Sequence, residues 1–153
     1  MKRGDARELA VHLIYGREFT GEEPRQAVSA RLDKEYYENL AVEHEVYAER
    51  PNKLQLRYID TVVEGIANRQ EELNAVISQF SIGWDITRIS RLARCILQLA
   101  IFEIRFVDDV PTGVAISEAV RIAKKYDGND AGSFINGILG SFARSLEAPK
   151  AEE

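Results

Sequence analysis

Two groups of basic residues carry most of the chemistry that this chain advertises. Lys2, Arg3 and Arg7 open it, and Arg88, Arg91 and Arg94 recur at intervals of three. Cations at a chain end can follow a phosphate backbone by displacing its counterions, and the bland alternative is a solvated tail. The second set shares one face at the start of a helix, where pairing with nearby acids is the bland alternative. His12 and His44 are the only histidines. They stand in different elements at no ligand spacing, and are read as helix-face or surface residues rather than ligands or bases. Glu22-Glu23 and Glu71-Glu72 are adjacent pairs that point to different sides of a helix, and Asp108-Asp109 precedes Val110-Pro111 in a turn. The single cysteine, Cys95, lies in an apolar run and is read as a small buried hydrophobe. There is no Gly-Lys-Ser/Thr phosphate loop, no G-x-S-x-G and no dinucleotide fingerprint. The expectation is a binding protein, with no catalytic residue, no metal site and no cofactor.

The bulk numbers narrow the kind of binding. Of 153 residues, 45% are hydrophobic and 29% charged, enough for a real core and too apolar for wholesale disorder. The net charge of −5 argues against a generic charge-driven nucleic-acid binder. Any nucleic-acid contact must come from a local patch and from a partner. No run of 18 apolar residues and no signal-peptide core occurs, so a soluble, cytoplasmic protein is expected.

The positioning elements all read as helices. Asp5 to Phe19 carries Ala6, Leu9, Ala10, Leu13, Ile14 and Tyr15 at helical spacing, and Thr20-Gly21 ends it. Pro24 opens a second helix with Ala27, Val28, Leu32, Tyr36 and Leu40 on one face, and 43–52 is an irregular connection. A third helix is expected from Lys53 to Gln79, about 40 Å long. Ser81-Ile82-Gly83 breaks it, as a boundary between two half-bundles, and Asp85 caps a turn at 86–89. Arg91 to Phe106 is apolar almost all round, so it is buried on most sides. Thr112 caps a helix running to Tyr126, and after Asp127-Gly128 Asp130 caps a last one. In that helix Phe134, Ile135, Ile138, Leu139, Phe142 and Leu146 make the apolar contacts, and Gly132, Gly137 and Gly140 are read as sites of close helix packing. Beyond Glu147 the tail is polar. The fold class is all-α: two small helical bundles, about seven helices, sharing a core in one domain, about 3–80 and 85–147.

Three runs in order resemble the NusB family of transcription antitermination factors. Arg91-Leu-Ala-Arg-Cys-Ile-Leu-Gln-Leu-Ala-Ile-Phe-Glu103 is similar to its R-x-x-x-x-I-L-R-L-A-I-Y-E-L run. Asp108-Asp-Val-Pro-Thr-Gly-Val-Ala-Ile-Ser-Glu-Ala-Val-Arg-Ile-Ala-Lys-Lys-Tyr126 matches D-V-P-x-x-V-A-I-N-E-A-V-E-L-A-K-x-F/Y, and Phe134-Ile-Asn-Gly-Ile-Leu139 matches F-V-N-G-V-L. Ala6-Arg-Glu-Leu-Ala-Val-His-Leu-Ile-Tyr15 resembles the family's opening, whereas 20–52 matches nothing specific.

The resemblance implies a non-enzymatic RNA-binding factor that pairs with NusE, a small-subunit ribosomal protein. Together they grip boxA RNA and help RNA polymerase resist termination, notably in ribosomal RNA operons. Residue by residue, Lys2, Arg3 and Arg7 fall in the family's arginine-rich RNA-binding opening. Phe134 matches an aromatic that meets bases, Asp130 an acidic position beside the RNA, and Asn136 lies on the same helix. Tyr15 matches a position facing the partner protein. Asp5 and Ser133 stand where some members carry arginine and lysine, and Ala93 lacks an acid that some use towards the partner. Weak RNA binding alone is therefore expected, with reliance on NusE. A homodimer of the free protein is a further expectation, since family members form them. Two rival readings are an RNA-targeting domain of an RNA cytosine methyltransferase, which would continue past Glu153, and a purely protein-binding helical scaffold.

Overall fold

Glycine and proline punctuate the chain as they should, but two of the breaks between successive α-helices come without either. The computed structural model describes residues 1–83 and 89–147. Among them the elements are α1 (Arg3–Thr20), α2 (Pro24–Arg31), α3 (Lys34–Ala41), a 3₁₀ turn (Glu45–Tyr47), α4 (Lys53–Asn68), α5 (Gln70–Phe80), α6 (Arg91–Phe106), α7 (Thr112–Asp127) and α8 (Asn129–Glu147). No strand occurs among the described residues, so the all-α reading holds. The expected cap at Asp85, the turn it would start and the tail beyond Glu147 lie outside the described residues.

The chain divides into two compact units, 1–68 and 69 onward. The division falls at the α4–α5 break, not at Ser81-Ile82-Gly83. In the first unit α1 and α2 both pack on α4. Leu9, Leu13, Ile59, Val62, Val63 and Ile66 are buried at helical spacing, as expected. The expected second helix is two. Its first piece ends at Arg31, and Asp33 restarts the chain by accepting the Tyr36 N–H at 3.2 Å. That reset shifts the apolar phase by one residue: Tyr37 is buried and Tyr36 is exposed. Within the connection read as irregular, Tyr47 is buried and its hydroxyl accepts from Arg31 Nη1 at 2.6 Å and meets His12 Nδ1 at 2.9 Å.

The second unit is built on α6, which packs against α5, α7 and α8. From Cys95 to Glu103 every residue of α6 is buried, as its all-round apolar pattern requires, with Gln98 and Glu103 buried among them. Ser90 caps α6 by accepting the Ala93 N–H at 3.0 Å, and its hydroxyl donates to Asp127 Oδ2 at 2.7 Å. The long helix expected over 53–79 breaks at Arg69, whose backbone leaves the helical region (φ −125°, ψ 22°). Arg69 belongs to the second unit, where its guanidinium lies 4.1 Å over the Phe106 ring and 3.3 Å from Glu72. Thr112 is the first residue of α7 and not its cap, a place taken by Pro111. Gly128 alone separates α7 from α8, at φ +93°, a backbone conformation that suits glycine.

Candidate nucleic-acid interface

The N-terminal cations do not sit on a loose tail. Lys2 is the extended residue before α1, and Arg3 is already helical. The Met1 ammonium pairs with Glu49 at 2.9 Å, and this pairing holds the Glu49 carboxyl below its ordinary range. Gln55 Nε2 donates to the Met1 carbonyl. Arg3 lies 4.2 Å over the buried Tyr58 ring while remaining exposed, a cation–π contact that fixes the guanidinium without hiding it. Arg7, one turn further, is 3% exposed and 6.0 Å from the same ring. Of the three cations expected to meet RNA, Lys2 and Arg3 face solvent and Arg7 is buried. Sequence reading had no signal for Tyr58 as the platform beneath them.

On α8 the expected residues separate by helical phase. Asp130 and Asn136 are exposed, as is Ser133 between them. Phe134 is 8% exposed, on the inward arc with Ile135 and Ile138. Asp130 lies in the first turn of α8 and is not its cap, because the helix begins at Asn129. A carboxylate there still answers the positive end of the helix dipole. Of the three glycines read as close-packing sites, Gly132 meets a side chain closely, while Gly137 has open space where a Cβ would stand. A Cβ at Gly140 would lie 3.3 Å from Arg144 Nη1.

Tyr15 is 36% exposed, and the neighbouring ring of Phe19, at 60%, packs edge to face on it at 5.1 Å. This solvent-facing aromatic pair on α1 includes one residue, Phe19, that the spacing argument passed over. Of the second arginine set, Arg91 is exposed, Arg94 is half-buried, and Arg88 lies outside the described residues. His12 and His44 approach to 6.2 Å between ring centres beside Tyr47, despite their separation in sequence. No group of three or more His, Cys, Asp or Glu residues is placed to hold a metal ion among the described residues. No helix there is long and apolar enough to cross a membrane.

Fold and surface together define an all-helical protein whose described residues offer exposed cations, amides and aromatic rings. The NusB family model matches residues 4–144, and the chain belongs to the NusB family. It is 40% identical over 144 residues to a transcription antitermination protein NusB of Acetivibrio thermocellus, covering 94% of this chain and 90% of that one. It is 33% identical over 147 residues to the protein of the same name from Symbiobacterium thermophilum, covering 96% and 92%. Among solved structures, a crystal structure of antitermination factors NusB and NusE in complex with double-stranded RNA superposes with a TM-score of 0.73 at 25% identity, over 94% of this chain and 96% of that one. NusB of T. maritima superposes with a TM-score of 0.70 at 28% identity, over 94% and 92%. These relatives are transcription factors, in keeping with a non-enzymatic chain.

Proposed function

We propose that this chain is a cytoplasmic RNA-binding antitermination factor that acts with NusE. In this reading it holds boxA RNA and helps RNA polymerase resist termination, notably in ribosomal RNA operons. The observation that carries the reading is the likeness, over nearly the whole of both chains, to a NusB solved together with NusE and RNA.

The exposed groups give the reading its residues. Lys2 and Arg3 supply phosphate contacts, and Asn136 offers an amide to base edges, with Asp130 beside it. Each within its own unit, Arg7 supports the N-terminal cations and Phe134 the exposed edge of α8 from beneath, since both are buried. Tyr15 and Phe19 face the partner protein, where rigid aromatic rings supply contact area at small entropic cost. The test is terminator readthrough on a template with and without boxA, transcribed with NusE. Readthrough that rises on adding this chain only when boxA is present supports the reading, and readthrough indifferent to the chain contradicts it. A free protein that sediments as a dimer and dissociates on RNA addition would support the homodimer as a form in which the RNA-binding groups are masked.

A further inference from the structure

The corner between α7 and α8 holds an exposed lysine. Lys124 lies in the last turn of α7, and its side chain crosses α8 over Gly132. The fit is close: a Cβ on residue 132 would lie 2.7 Å from Lys124 Cγ, 3.1 Å from Cε and 3.4 Å from Cδ. Only the absence of a side chain at 132 lets the lysine stem lie there. Gly132 and Asn136 are one turn apart, so they share an edge of α8. The stem therefore crosses on the edge that carries the exposed Asn136.

The neighbouring cations are differently committed. Arg121, one turn earlier on α7, is held by Glu118 at 2.7 Å. The Lys125 ammonium lies 5.3 Å from the Tyr126 ring. Asp127, the nearest acid along the chain, accepts from Ser90. Lys124 is exposed, and among the described residues no ion pair engages it. Its stem is spent on packing while its ammonium stays in water, the usual division of labour in a long cationic side chain. Holding the stem lowers the entropy that the lysine must lose on meeting an anion.

We infer that Lys124, seated across Gly132, holds a phosphate of bound RNA beside Asn136. The inference rests on the RNA-binding reading and adds a residue to it. Gly132 is the positioning residue, because it decides where the lysine stem runs.

The experiment is a titration of boxA RNA into the full chain with NusE across a range of salt. The wild type is compared with Lys124→Gln, Gly132→Ala and, as a control, Arg121→Gln. Each phosphate contact on a single strand contributes a slope of about 0.7 in log affinity against log salt. Loss of one contact therefore lowers affinity about fivefold near 0.1 M salt. Lys124→Gln is expected to show both changes. Gly132→Ala keeps the charge but displaces the stem, and is expected to weaken binding without unfolding the chain. Arg121→Gln should bind like the wild type. If the wild type binds and either Lys124→Gln or Gly132→Ala binds equally well, the inference is overturned. If the wild type itself ignores RNA, the RNA-binding reading falls and takes the inference with it.

Discussion

Phe134 shows how a residue's role depends on which way its helix turns it. An aromatic near a nucleic-acid edge suggests stacking, but this ring is 8% exposed among the core residues of α8. Truncating it should therefore cost folding stability of about 3–5 kcal/mol, the usual price of deleting a core phenylalanine. Urea denaturation of Phe134→Ala checks this, and a loss under about 1 kcal/mol would return the ring to a surface role. Tyr37 makes a second residue-scale prediction. Burial first, then the neighbouring Tyr47, pushes its hydroxyl from 10.0 to about 12. The folded chain keeps this proton at a pH where the unfolded chain has lost it. Stability is thus fully present below about pH 10 and drains away as pH rises towards 12. Tyr37→Phe should flatten that part of the alkaline limb. It should also cost about 1 kcal/mol at neutral pH for the lost 2.6 Å hydrogen bond to the Glu49 carbonyl. Alkaline denaturation curves of the two proteins, superposable above pH 10, would contradict it.

At the scale of the element, the legible parts of this fold are those where one pattern runs unbroken. Leu92 to Phe106 leaves almost no polar face, and α6 is buried along its middle accordingly. The breaks at Leu32-Asp33 and Arg69 were illegible because neither carries glycine or proline. The first depends on a carboxylate finding the Tyr36 N–H, and the second on a guanidinium reaching Phe106 and Glu72. Such tertiary and capping contacts leave helical periodicity almost intact, so the sequence reads as continuous helix. The candidate site was legible to the same degree. Asp130, Asn136, Lys2 and Arg3 are exposed where expected, while Arg7 lies inward because α1 starts at Arg3 and carries it round to the buried arc. Caps are the direct test at this scale. Asp33→Ala and Ser90→Ala should each cost about 1 kcal/mol in chemical denaturation, Ser90 the more because it also holds Asp127. A neutral Asp33→Ala would mean that α3 restarts for another reason.

For the whole molecule, net charge and the proposed function pull in different directions. A net charge of −5 repels a polyanion at long range, so the chain cannot rely on bulk attraction. In the proposed reading its cations act locally, Arg3 over the Tyr58 ring in the first unit and Lys124 across Gly132 in the second. Affinity for RNA should be low for the chain alone, strongly reduced by salt, and raised by the partner. The most direct test is an equilibrium titration of this chain with NusE against boxA RNA and a scrambled RNA of equal length, at moderate salt. Clear preference for boxA is expected, tightened by NusE and weakened by Arg3→Ala. Equal affinity for the two RNAs in the presence of NusE would contradict it.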